Sequence, residues 1–183
     1  MKRRLALLAA ACMLLSGCGS KGKVVGGMTA ELPTESTTIP DNDYVAAQTA
    51  AVGFAEAISE ESVGKLVKYS DIDMLYFQAN GEIADSDTLI KEYKDSFDAT
   101  GAFYEIFKSI GTVVKDGENC DEILPYVNKL IESGEFADNM RSHYKVDKAY
   151  KFSLEGGYLY VLHINGDWKA DIALTPYFVY DLE

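Results

Sequence analysis

Cysteine, histidine, positive charge and long hydrophobic runs are all scarce in this chain. Of its three cysteines only Cys120 lies in the body of the sequence. A disulfide framework is therefore excluded, and the domain must be held together by its core. The two histidines are His143 and His163. There is no H-E-x-x-H, no C-x-x-C, no G-x-S-x-G elbow, no Walker loop and no G-x-G-x-x-G after a strand, so no known catalytic or nucleotide motif presents itself. Lysine and arginine number 17 against 29 aspartates and glutamates, for a net charge of −12. Such a surface repels phosphates and anionic head groups, so nucleic acid is not expected as a partner. Beyond residue 15 no apolar stretch approaches the ~20 residues that a membrane-spanning helix needs.

What is present begins at the N-terminus. Lys2-Arg3-Arg4 precedes an uninterrupted apolar run from Leu5 to Leu15, then Ser16, Gly17 and Cys18. The cations form a segment that stays on the cytoplasmic side, and the run is too short to span a bilayer but suits a signal-peptide core. Leu15-Ser16-Gly17-Cys18 resembles the lipobox of bacterial lipoproteins. The resemblance implies that residues 1–17 are a signal peptide and that the Cys18 sulfur carries a diacylglycerol. Two acyl chains at ~0.8 kcal/mol per buried CH2 would hold the protein firmly on the outer face of the cell membrane. Loss of the leader would remove Lys2, Arg3 and Arg4 and no acidic residue, moving the net charge from −12 to −15. Residues 18–41 read as a tether, punctuated by Pro33 and Pro40, with a reach of about 25 Å for a flexible chain. Residues 42–183 form one domain, large enough for a single core and too small for two.

Within the domain, Tyr44, Ala47, Ala51, Phe54 or Ala55, and Ile58 recur at helical spacing, and Val63, Leu66 and Val67 mark a shorter helix at about 60–69. Residues 72–78 are ambiguous and are closed by an Asn80-Gly81 turn. Asp85-Ser86-Asp87 is an N-cap region for a helix at about 87–98. Phe103, Ile106, Phe107, Ile110, Val113 and Val114 again follow the helical period, predicting a helix over 102–115. An acidic loop at 116–122 leads to helices at about 121–132 and 135–143. Cys120 sits in that loop among Asp116, Glu118, Asp121 and Glu122. Their charge disfavours a thiolate, so Cys120 reads as an inert, partly buried thiol.

The C-terminal third reads as an antiparallel meander. Asn165-Gly166 between alternating segments is a strong hairpin signal, because a type I′ turn needs positive φ at both central residues. Gly156-Gly157 is read as a second such turn. Two-residue loops set Leu154 opposite Leu159 and Ile172, Phe152 opposite Val161 and Ala170, and Tyr150 opposite His163 and Trp168. That face is almost wholly apolar. The reverse face carries Asp147, Lys151 and Ser153, then Tyr160, Leu162 and Ile164, then Asp167, Lys169 and Asp171, and is read as mostly wetted. Tyr177 to Leu182 is expected to add a fourth strand. Helices first and a meander last predict an α+β domain, with N-terminal helices packed on a C-terminal antiparallel sheet.

The layout of helix, short helix, Asn80-Gly81 turn and third helix, with the late Asn165-Gly166-Asp167-Trp168-Lys169 hairpin, is similar to the nuclear-transport-factor-2-like (SnoaL-like) cone. It covers residues 44–98 and 148–174. Residues 101–143 depart from it, since they read as a helical insertion where that family usually places strands. The resemblance implies a cone with an interior pocket. The Asp and His pairs of the family's enzymes have no counterparts here residue by residue.

The candidate functional residues follow from these readings. His163, Trp168 and Tyr150 form a candidate pocket, with His163 as base or ligand group in the enzymatic reading and as a core-margin histidine in the plainer one. Tyr160, Leu162 and Ile164 form a candidate interface, covered either by Tyr177 to Leu182 or by a partner, including a second copy of the chain. The clusters Asp71, Asp73, Asp85, Asp87 and Asp116 to Glu122 lack the calcium-loop pattern and are read as solvated surface. No metal or cofactor is expected. The expected function is a ligand- or partner-binding module at the cell envelope, for an envelope protein, a peptide or a small ligand. The alternative is an envelope hydrolase or isomerase centred on His163.

Overall fold

The computed structural model describes residues 41–174, apart from the side chains at 96–100, 102, 103 and 106. The leader, Cys18, the tether and the strand expected at Tyr177 to Leu182 lie outside the described residues. The fold is α+β. Helix α1 (Asn42–Ser59) buries Ala47, Ala50, Ala51, Phe54, Ala57 and Ile58. Four alanines on that face let the helix backbone approach the sheet closely while the larger side chains fill the gap. At Gly53 a Cβ would sit 2.6 Å from the Tyr69 ring, so only glycine lets α2 (Val63–Tyr69) cross there. Residues 72–78, ambiguous in sequence, lie in helix α3 (Ile72–Asn80), which ends at the expected Asn80-Gly81 turn, where Gly81 at φ 73° makes a left-handed cap. Asp85 Oδ1 accepts from the Thr88 amide at 2.8 Å and caps α4 (Ser86–Thr100).

Helix α5 (Ala102–Ser109) stops six residues short of the span predicted by periodicity. Gly111 at φ 92° turns the chain away. Ile110 and Val114 still pack against the core from a loop, while Val113 is exposed. The acidic loop then contributes a strand that composition concealed, β1 (Gly117–Asn119). A 3-10 turn (Asp121–Ile123), α6 (Leu124–Ile131) and α7 (Ala137–His143) follow. The chain finishes in β2 (Val146–Ser153), β3 (Tyr158–Ile164) and β4 (Asp167–Ala170). The four strands form one antiparallel sheet in the order β1-β2-β3-β4.

The β3–β4 hairpin matches its expectation: Val161 faces Ala170, His163 faces Trp168, and Asn165 and Gly166 take φ of 55° and 96°. The β2–β3 register differs by two residues, with Phe152 opposite Leu159, Tyr150 opposite Val161, and Lys148 opposite His163. The connection is four residues long, closed by Leu154 N–H donating to Gly157 O at 2.8 Å. Neither Gly156 nor Gly157 has positive φ, so a type I′ turn does not form. Gly156 is needed for another reason. Its N–H donates to Ile110 O at 2.9 Å, and a Cβ there would lie 2.8 Å from Ser109 O. A shift of two preserves sidedness, so the apolar face survives the correction.

The larger correction concerns the reverse face. Tyr160, Leu162 and Ile164 are 7%, 0% and 5% exposed, and they belong to a second core rather than to a free surface. Met74 and Phe77 from α3, Val127 and Ile131 from α6, and Met140 from α7 cover them, together with Ala173 and Leu174. The sheet is thus enclosed between α1 with α2 on one side and α6 with α7 on the other. Each fully buried large side chain contributes roughly 1.5–3 kcal/mol, which is why a patch of this size does not stay in water when helices are available to cover it.

Candidate functional site

The residues singled out at His163, Trp168 and Tyr150 do come together, at the end of the sheet beside the start of α1. The His163 and Trp168 rings are 4.8 Å apart, and Trp168 lies 5.4 Å from Tyr150. Tyr44 of α1 continues the row, 5.7 Å from Tyr150 in an edge-on contact. Aromatic pairs at these separations are each worth about 0.5–1.5 kcal/mol beyond the area they bury. A bulge between Val146 and Lys148 interrupts the β2 ladder here. It re-aims Asp147, whose Oδ1 lies 2.6 Å from His163 Nδ1. The His163 hydrogen bond holds the Asp147 carboxyl below its usual range. Lys148, the next residue, pairs with Asp43 at the start of α1. The sequence missed Asp147 and Lys148 as neighbours of this histidine because a bulge leaves no mark on an alternating pattern.

A histidine oriented by a carboxylate is half of a general-base device. The other half, a hydroxyl or thiol within reach, is missing among the described residues, where His163 hydrogen-bonds to Asp147. Two shallow, open depressions lie on the outer side of α1, one along Val45, Thr49, Val52 and Tyr69, the other along Val52, Ser59, Thr112 and Val114. Neither is lined by His163. The inner face of the sheet, where a cone would open to a ligand, is filled by Tyr150, Phe152, Leu159 and Val161.

The acidic clusters separate into different environments. Asp85 and Asp87 are exposed, but Asp71 is fully buried and Asp73 half-buried, so their solvated reading is corrected. Asp171, assigned to a wetted face, is fully buried as well. The signal for it was available: it is the lone acid in Ala170-Asp171-Ile172-Ala173-Leu174. Among the described residues no group of three or more histidines, cysteines, aspartates and glutamates is placed to hold a metal ion. Cys120 is buried, its thiol 3.2 Å from Glu122 Oε1, and burial pushes its pKa up to about 12. A thiol in that state is not a nucleophile at neutral pH. His143 ends α7; its carbonyl accepts from Asn165 Nδ2 at 2.7 Å, tying the hairpin turn to the α7–β2 junction.

Comparison of the chain with protein-family models, with curated proteins and with solved structures gives no match. Function must therefore be argued from the residues themselves.

Proposed function

We propose that this protein is a lipid-anchored module of the bacterial cell envelope that binds a ligand or partner at its surface and performs no chemistry of its own. The observation that carries the anchoring is the succession Lys2-Arg3-Arg4, Leu5 to Leu15 and Leu15-Ser16-Gly17-Cys18. Among the described residues no helix is long and apolar enough to cross a membrane. Attachment through Cys18 is consistent with that and needs no spanning segment. The binding reading is supported by a sheet packed on both faces, which leaves surface rather than interior for recognition. The His163–Trp168 end, with Asp147 and Lys148 around the tilted rings, offers an aromatic and a charged group side by side, a combination suited to peptides and small polar ligands.

The alternative, an envelope hydrolase or isomerase of the cone type, is favoured by one observation, the 2.6 Å contact between His163 and Asp147. Anchoring is tested by detergent-phase partitioning and by the mass of the N-terminal peptide. The wild-type chain should partition with detergent and carry diacylglycerol on Cys18, and Cys18→Ala should do neither. Aqueous partitioning of the wild type, with cleavage elsewhere than before Cys18, contradicts the proposal. His163→Ala and Trp168→Ala distinguish the two functions. A binding surface loses affinity in both variants, whereas an enzyme loses turnover in His163→Ala with binding retained.

A further inference from the structure

Asp71 and Asp171 are both 0% exposed, and the helix corner and the chain beyond β4 meet at these two side chains. Asp71 stands in the junction between α2 and α3, where its N–H donates to Ala170 O at 3.0 Å. Its Oδ1 accepts from the amides of Ile172 at 2.7 Å and Ala173 at 3.1 Å. Asp171 Oδ1 accepts from the Leu174 amide at 2.9 Å, and the Asp171 amide donates to Tyr160 O at 2.9 Å. The Asp171–Tyr160 bond extends the β3–β4 ladder by one residue, and the two aspartate side chains take the backbone amides beyond it. They seat Ile172 in the first core and Ala173 and Leu174 in the second.

One atom does not fit an arrangement of two ionised groups. Among the described residues the buried Asp71 Oδ2 has no hydrogen-bond partner. An unpartnered carboxylate oxygen in apolar surroundings is among the costliest groups a protein can bury. The main charges acting on it among the described residues are negative, from Asp171 and from Asp73 on α3. Among the described residues the other groups facing this corner do not neutralise Asp71. Tyr144, after α7, is hydrogen-bonded to Asp73. Tyr160 on β3 faces Asp171, and burial raises its phenol to about 12. Lys169 on β4 acts on Asp73 while its Nζ donates to Lys68 O at 2.8 Å.

We propose that Asp71 and Asp171 hold one proton between them, and that this proton locks the segment Ala170–Leu174 onto the α2–α3 corner, with the lock weakening as pH rises. A proton on Asp71 Oδ2 converts an orphaned acceptor into a donor that the Asp171 carboxylate can accept. It also removes the like-charge repulsion that two adjacent carboxylates cannot sustain away from water. Burial, and then the Asp171 charge, holds the Asp71 carboxyl well above the usual carboxylate range. A group raised in the folded state contributes stability that is complete below its unfolded pKa of about 3.9 and is lost as pH climbs through its folded value. The device thus favours the closed segment in acid and loosens it towards alkali.

The test uses the purified full chain and three variants, Asp71→Asn, Asp171→Asn and the double substitution. Asparagine reproduces the protonated acid, accepting through oxygen and donating through nitrogen. Each single variant should therefore fold, and its melting temperature should exceed that of the wild type by a margin that grows as pH rises. Infrared spectroscopy at neutral pH should show a protonated buried carboxyl in the wild type that is absent from Asp71→Asn. The double variant places two amide donors face to face and should melt below either single one. The proposal is overturned by any of three results: no protonated carboxyl at neutral pH, a wild-type pH slope retained in Asp71→Asn, or single variants that fail to fold.

Discussion

Both faces of the sheet are packed against helices, but the two were written into the sequence very differently. On the α1 side the strands alternate cleanly, with Tyr150 and Phe152, then Leu159 and Val161, then Ala170, beneath a helix whose alanines recur at helical spacing. On the other side the apolar residues are those of β3 and Ala149 of β2. Lys151 and Lys169 flank Tyr160 and Leu162 on that face, and that pattern imitates a wetted surface. Of the helices that cover it only α3 precedes the sheet, and the other two come from residues 124–143, between β1 and β2. An alternating strand reports its own two sides, whereas only the central strand of a sheet reports whether both are covered.

The largest effect of a substitution is expected from a charge buried on either face of β3. Leu162→Glu and Val161→Glu place a carboxylate on opposite faces of β3 at positions that are both 0% exposed. Each should cost more than about 4 kcal/mol and abolish the cooperative transition in circular dichroism. If Leu162→Glu is tolerated while Val161→Glu is not, the second face is open and the first alone is core. Phe152→Ala and Phe77→Ala truncate one ring in each core, at 0% and 1% exposure. Denaturant titration should give losses of about 3–5 kcal/mol for both.

Smaller effects sharpen the account of how the strands are joined. Gly166→Val should cost about 1–3 kcal/mol, because a β-branched residue is strained at φ 96° although nothing lies within 4 Å of its Cβ. Gly156→Ala and Gly64→Ala should differ in sign. The first drives a methyl to 2.8 Å from Ser109 O and should lower stability by about 1–3 kcal/mol. The second adds a methyl to open space on an exposed helical turn and should raise stability by about 0.5–1 kcal/mol. The smallest effect concerns Asp147, held below its usual range by His163 and 52% exposed. Its pairing should contribute at most about 1 kcal/mol, present at neutral pH and lost as pH falls through its lowered folded pKa, a loss that Asp147→Asn should remove.

Much of the fold was legible because local chemistry decided it. The α1 stripe rests on its helical period, and the Asn80-Gly81 turn, the Asp85 cap and the Asn165-Gly166 turn each rest on one or two residues with a specific geometric requirement. What escaped was set by contacts distant in sequence. β1 is strand because Gly117, Glu118 and Asn119 pair with β2, although their composition is that of a loop. Gly156 is glycine because residue 110 approaches it, not because its own turn needs positive φ. The candidate site divides in the same way. His163 and Trp168 face each other across a short hairpin and could be paired from sequence. The partnership of Asp147 with His163 needs a bulge. That of Asp71 with Asp171 spans 101 residues of chain at the Asp71–Ile172 bond. One missed signal was present all the same. The run Tyr158-Leu159-Tyr160-Val161-Leu162-His163-Ile164 is close to continuously apolar, which marks a strand covered on both faces rather than one.

Native-state hydrogen exchange compares the two helical layers most directly. If both faces of the sheet are interior to one cooperative domain, the amides of Val127 and Ile131 on α6 exchange only through global opening, with the same free energy as those of Ala51 and Phe54 on α1. Exchange of α6 and α7 at a clearly lower opening free energy, while α1 and the sheet stay protected, would contradict this. It would show a detachable layer, and Tyr160, Leu162 and Ile164 would then return as a surface.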